Sequence, residues 1–184
     1  MSIVITGNPG VGKHTIAKKL GAELGFAIID LNQIAITKGI FEKKGSTLDV
    51  DVNKLSRAIK KMIKRNTIVV GHLAPYVVPR RQVKFALVLR KSPYKLISVY
   101  KKRKYSKKKA FENLGSEILG VVAYDAISRF GPSKVYQLDT TRLSAKKATS
   151  KIKSIFKKRF AGDRVDWLGL VTKKGDLARF FLHK

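Results

Sequence analysis

The chain has no cysteine, and that absence removes disulfide frameworks, cysteine nucleophiles and thiolate metal sites together. No motif for a redox cofactor takes their place. The sequence also lacks an apolar run long enough to cross a bilayer, and residues 3–5 enter a β-branched strand with no basic segment and apolar stretch ahead of them. A soluble, cytoplasmic protein with no membrane partner is the expectation. Acidic residues are scarce: twelve Asp and Glu stand against forty Lys and Arg, a formal charge of +28. Such an excess repels itself unless an anionic partner or high ionic strength screens it, and a polyphosphate such as RNA is the natural counterpart.

What is present suffices for one substantial core. The 184 residues are 44% hydrophobic, which suggests a single domain with a short appendage. Short β-branched runs alternate with stretches of helical period, the pattern of an α/β fold with a parallel sheet covered on both faces. Strands are expected at 3–6, 26–29, 67–70, 85–89 and 135–138. Helices are expected at 13–24, with Ile16, Leu20 and Leu24 four apart, at 55–63, with Leu55, Ile59 and Met62 aligned, and from Pro93 towards residue 102. Seven basic residues in the nine of 101–109 interrupt the pattern and suggest an inserted mobile loop. A long helix over 110–129 should follow, and a last core helix over 144–156.

Residues 7–13, Gly-Asn-Pro-Gly-Val-Gly-Lys, lie between the first strand and the first helix. This context marks a phosphate loop. Glycines let successive N–H groups turn inward onto phosphate oxygens, the helix adds its positive N-terminal end, and Lys13 adds a full charge. The motif wants a Ser or Thr after the lysine to coordinate Mg²⁺, and His14 stands there. Imidazole is a poor ligand for that ion. Thr15 offers a hydroxyl, but one helical step turns it roughly 100° away.

The phosphate loop, the Gly71-His72 pair, residues 88–90 (Val-Leu-Arg), 103–105 (Arg-Lys-Tyr), Asn113 with Glu117-Ile118, and 138–141 (Leu-Asp-Thr-Thr) together resemble the adenylate kinase isoenzyme 6 family in unbroken order over residues 1–156. The resemblance implies a P-loop three-layer sandwich with a five-stranded parallel sheet, an NMP-binding segment at about 30–53, a lid at about 102–112, and a basic C-terminal extension over 157–184. It implies ATP-dependent phosphorylation of AMP or another nucleoside monophosphate, with Mg²⁺ and some ATPase activity. The positions matching the family's ATP-binding residues are Gly10, Gly12, Lys13, His14, Thr15, Arg103 and Arg142. Eukaryotic members also assist small ribosomal subunit maturation with a small-subunit ribosomal protein, so that protein and ribosomal RNA are implied partners here.

Elementary chemistry supports part of this set. Moving a phosphoryl group between two anions needs cations around it and exclusion of water, so Lys13 and a lid arginine, Arg103, are the expected catalytic cations. His72, at the edge of the third strand, is expected to orient a water or a lid group; the competing role is a histidine satisfied by backbone contacts. Arg90 is either a ligand-facing cation or one half of a structural ion pair. Asp49 and Asp51 either serve the acceptor site or cap a helix.

Departures from the family also stand out. The third strand carries Val69 where an acidic residue is usual, Val99 replaces an arginine, and Gln33 an aspartate. They motivate a rival reading, a nucleotide-binding RNA or ribosome-assembly factor with weakened catalysis. The apolar residues of the tail, Trp167, Leu168, Leu170, Phe180 and Phe181, are expected to pack back on the domain.

Overall fold

The computed structural model describes residues 2–44 and 47–181, and every element below is counted among these. Residues 45–46 of the expected NMP-binding segment and 182–184 of the expected extension lie outside them. In chain order the elements are β1 (Ser2–Thr6), α1 (Lys13–Leu24), β2 (Ala27–Asp30), α2 (Leu31–Thr37), β3 (Phe41–Lys44), β4 (Thr47–Val50), α3 (Val52–Lys60), β5 (Thr67–Val70), α4 (Ala74–Val77), β6 (Val83–Arg90), α5 (Pro93–Lys102), α6 (Lys107–Ile118), α7 (Val121–Phe130), β7 (Val135–Asp139), α8 (Ala145–Phe156), α9 (Trp167–Lys173) and α10 (Leu177–Phe181). Five strands form one parallel sheet in the order β2-β5-β1-β6-β7. β3 and β4 pair antiparallel with each other, apart from that sheet.

The pleat of the strands sets the layers. Ile3 and Ile5 of β1 point into a core with Ile16, Leu20, Leu96 and Ile152, whereas Val4 points into the opposite core with Leu55, Ile59, Val77 and Phe130. Both cores are closed to water, and each fully buried aliphatic side chain contributes roughly 1.5–3 kcal/mol. Because all five strands are parallel, their carboxyl ends share one edge, and the crevice outside such an edge is where open α/β sheets bind ligands. The loop 7–13, Asp30, Gly71-His72, Arg90 and Thr140 all leave strands there.

The expected helix over 110–129 is two helices. Leu114 and Ile118 of α6 sit in the first core, while Ala123, Ala126 and Phe130 of α7 sit in the second, so the chain must cross from one face of the sheet to the other. Gly120, with φ 69°, makes the turn that a straight helix could not. Neither is 101–109 a long insertion: α5 runs to Lys102, Ser106 caps α6 through Lys109 N–H at 3.3 Å, and only residues 103–106 lie between the helices. Met62 is 41% exposed, because α3 ends at Lys60 and Ile63 takes the buried place.

The tail packs back on the first face in part: Leu168 and Phe181 are exposed, while Trp167 rests against that core. Val171 and Phe180 are buried there, the Phe180 ring meets Tyr94 edge-on at 5.3 Å, and the Tyr94 hydroxyl donates to Asp176 at 2.6 Å. No helix among the described residues is long and apolar enough to cross a membrane.

Candidate functional site

A cleft of ≈840 Å³ opens above the carboxyl edge of the sheet. Its floor is the loop after β1, with Asn8, Gly10, Gly12, Lys13, His14 and Thr15. The loop is held from several sides. The Tyr100 hydroxyl of α5 donates to the Pro9 carbonyl at 2.8 Å, and the Thr140 hydroxyl beyond β7 lies 2.9 Å from the Val11 carbonyl. A Cβ at Gly10 would meet Val99, Leu96 and Tyr100 side chains at 3.0–3.2 Å, so α5 can lie this close only against glycine. Val99, where the resemblance leads one to expect an arginine, therefore helps to wall the loop.

Lys13 is 6% exposed and donates to the Asn8 carbonyl at 2.9 Å. Burial first, then the nearby Arg103 charge, pull its pKa from 10.5 down to about 8, while Glu117 and Asp30 oppose the shift. It remains mostly cationic at neutral pH. Arg103 lies at the cleft as the C-cap of α5, solvent-exposed and close enough to bear on Lys13. Two cations thus face one space, and the Arg103 charge acts on Lys13, an arrangement an incoming polyphosphate would relieve.

His72 reaches the same cleft from the end of β5. Its side chain touches solvent, but the surrounding protein and the Lys13 charge push its pKa down to about 4, so it is neutral at pH 7. His14 takes part in no core packing. Its Nε2 lies 3.0 Å from Asp30 Oδ2, and the other Asp30 oxygen caps α2 through Asn32 N–H and Gln33 N–H. The residue replacing the usual metal-binding hydroxyl is therefore tied to the carboxylate at the mouth of the loop. Among the described residues, no group of three or more His, Cys, Asp or Glu side chains is arranged to enclose a metal; what the loop offers is one carboxylate, Asp30, next to where phosphate oxygens would lie, which suits a cation carried in by a nucleotide and largely hydrated.

Opposite the loop the cleft is apolar. Ile36 of α2, Phe41, Val50 and Val52 form one wall, and Leu73, Val121 and Val122 the other, with Asp49 and a Tyr76–Asp125 hydrogen bond at the rim. This is a slot for a flat, partly apolar group with polar edges. Asp51 caps α3 through Lys54 N–H at 2.9 Å, and does not line the cleft.

Arg142 stands apart from the other predicted residues. It lines a second cavity of ≈680 Å³ with Tyr94, Asp163, Trp167 and Lys174, between the domain and the C-terminal segment. Arg90 is a structural cation: 4% exposed, it donates from Nε to Glu117 Oε1 at 2.9 Å, from one terminal nitrogen to the Glu117 carbonyl at 2.7 Å and from the other to Gln137 at 2.6 Å. Glu117 itself was visible in the sequence only as part of a resemblance. Fully buried, it also accepts from Asn8 Nδ2 at 2.8 Å, Lys91 N–H at 3.0 Å and Trp167 Nε1 at 3.1 Å. The available signal was an acid between Leu114 and Ile118 on an apolar helix face, in a chain with few acids to spare.

Comparison with known proteins agrees with this geometry. Residues 3–120 match the family model of the AAA domain. The chain is 36% identical over 171 residues to the "Putative adenylate kinase" of Pyrococcus furiosus, covering 91% of each chain, and 33% identical over 171 residues to that of Thermococcus kodakarensis, covering 91% of this chain and 93% of the relative. Among solved structures it resembles shikimate kinase from Acinetobacter baumannii in complex with shikimate (TM-score 0.61, 18% identity, 85% of this chain and 93% of that one) and deoxyadenosine kinase from M. mycoides (TM-score 0.55, 18% identity, 86% and 100%). These structures show the P-loop kinase fold. With its glycine loop and Lys13 at the ligand edge of a five-stranded parallel sheet, the chain belongs to the AAA-domain family of P-loop proteins, in the group of archaeal chains that carry the adenylate kinase name.

Proposed function

We propose that this protein is a nucleoside-monophosphate kinase of the adenylate-kinase type, taking its phosphoryl group from ATP and passing it to AMP or a related monophosphate. The observation that carries the reading is the two-sided cleft: Lys13 and Arg103 face the phosphate loop, and an apolar slot lies opposite. In this reading the loop around Gly10 and Gly12 binds the donor's phosphates, with Lys13 across the outer pair. His14 and Thr15 border them, Arg103 balances charge on the group in flight, and Arg142 serves the donor's base or ribose end from the neighbouring cavity. Mg²⁺ arriving with ATP would neutralise the phosphate chain, with Asp30 and His14 next to its water shell.

Transfer breaks the bond from the γ-phosphorus to the β,γ-bridging oxygen and forms one to an oxygen of the acceptor's phosphate. That oxygen is already deprotonated at neutral pH, so no protein base is needed for the kinase reaction. Hydrolysis differs, because water must be oriented and lose a proton. Neutral His72 is the group at the cleft suited to orient it, and a slow ATPase activity at this site is part of the proposal. A role in small ribosomal subunit maturation, through a small-subunit ribosomal protein and ribosomal RNA, rests on the family resemblance and on the charge of +28.

The test follows phosphoryl transfer from ATP to AMP and other monophosphates with Mg²⁺, alongside ADP release without an acceptor, in wild type and Lys13→Ala. Transfer that depends on Lys13 is the expected result. Hydrolysis without transfer to any monophosphate overturns the kinase reading, and favours an assembly ATPase, a reading for which His14 in place of the metal-binding hydroxyl is the specific motive.

A further inference from the structure

The phosphate loop has one residue whose side chain is fastened to a distant element at both ends. Asn8, 5% exposed, donates from Nδ2 to Glu117 Oε2 at 2.8 Å and accepts at Oδ1 from the Ser116 hydroxyl at 3.0 Å, while its backbone carbonyl accepts from Lys13. The orientation of this amide therefore follows from where the Glu117 carboxylate points. That carboxylate is buried completely, so its rotation is set by its donors alone. One oxygen serves Asn8. The other collects three donors, from Arg90, Lys91 and Trp167.

Two of those donors belong to the domain. The third comes from the first residue of α9, in the segment that the sequence presents as an appendage. We infer that Trp167 is a positioning residue for the phosphate loop: by donating to Glu117 it fixes the carboxylate, and through it Asn8 and the carbonyl that parks the Lys13 ammonium. The C-terminal segment then supports the phosphate loop itself, in addition to lining the cavity beside Arg142. Its hold on the domain is independent of that one bond, since Tyr94 with Asp176, buried Phe180, and the Asp163 carboxylate accepting from Asp139 N–H at 2.9 Å all secure it. What Trp167 adds at the loop is thus separable from what it adds to packing.

The relay also gives it a reporter. Trp167 is the sole tryptophan, with its indole N–H on the carboxylate that holds the loop, so movement of Asn8 as Lys13 leaves its carbonyl for a phosphate should alter the indole's emission.

The experiment compares wild type, Trp167→Phe, which keeps an aromatic ring and loses the donor, and Val171→Ala, which thins the buried packing of the same helix at a residue that lines neither cavity and leaves the donor in place. Three readouts are needed: ATP affinity by calorimetry, thermal midpoint, and hydrogen exchange of amides 8–12 in the nucleotide-free protein. Trp167→Phe should weaken ATP binding roughly tenfold, the effect of one hydrogen bond to a charged group, and raise exchange in the loop. Val171→Ala should lower the midpoint with both loop readouts unchanged. In wild type, inorganic pyrophosphate, which carries no base or ribose to reach the cavity beside Trp167, should shift the tryptophan emission, and Asn8→Ala should abolish the shift. Unchanged loop exchange in Trp167→Phe overturns the inference, as does loss of affinity that tracks the midpoint equally in both variants. Exchange in the free loop reports on the relay whether or not the protein transfers phosphate, so a failed kinase assay and a failed relay give different results.

Discussion

The two sides of the cleft are built to different standards. The phosphate-loop side is tied to α5, α6 and the turn after β7 by bonds from Tyr100, Ser116, Glu117 and Thr140, nearly all from buried groups. The other side, proposed to take the acceptor, consists of a short helix, a two-stranded hairpin apart from the main sheet, and exposed apolar residues such as Ile36 at 53%. A site that holds charge in place before its ligand arrives saves reorganisation at the moment of reaction. One that must close around a second substrate gains by being loosely tied. On the proposed kinase reading, the difference divides the donor's half from the acceptor's half.

The division is breakable at graded cost. Arg90→Ala strands a buried carboxylate beneath the loop and should destabilise the protein by about 3–5 kcal/mol, read as a lower midpoint in denaturant. Arg103→Ala removes an exposed cation and should leave that midpoint nearly unmoved while lowering kcat by about 10²-fold. It should also let the Lys13 pKa rise, since Arg103 is the second-largest cause of its depression after burial.

That shift gives the third expectation. In the free protein Lys13 titrates near 8, against 10.5 unperturbed. Between those values the unfolded chain holds a proton that the folded one has released, so this group's contribution to stability rises with pH across the window. ATP needs the protonated form, so its affinity should fall as pH passes about 8; in Arg103→Ala the fall should begin at higher pH, measured by ATP titration from pH 7 to 10. A fall at the same pH in both proteins would mean that the two cations do not share one field. The smallest effect belongs to the acceptor side: Ile36→Ser should raise the KM for the monophosphate by about tenfold, leave the KM for ATP alone and change stability by no more than about 0.5 kcal/mol.

Much of the donor side was legible in the sequence because it is local. A strand, a glycine loop and a helix in succession carry their own period and turn chemistry, and α1 and α5 begin and end at the expected residues. Strand positions followed from β-branched runs, of which the central β1 and β5 are buried along their whole length. The errors arise where distant parts decide. Nothing in the periodicity of 110–129 shows that its two halves serve opposite cores, and so nothing local marks the break at Gly120. Glu117 takes its partners from residues 8, 90, 91 and 167, a set that no spacing rule connects. The lysine run 101–109 read as a loop because its charge hid helix termini on both sides.

Glu117 also imposes an order of assembly during synthesis. Asn8 leaves the ribosome early, and its anchor is made more than a hundred residues later. Trp167 follows fifty residues after that. At typical elongation rates of about 5–20 residues per second, the loop waits roughly 10–30 s for the last donor to its carboxylate. The residues of the fold's first motif thus wait through most of synthesis for their support, and on the proposed relay nucleotide meets a finished loop only once residue 167 has emerged and docked.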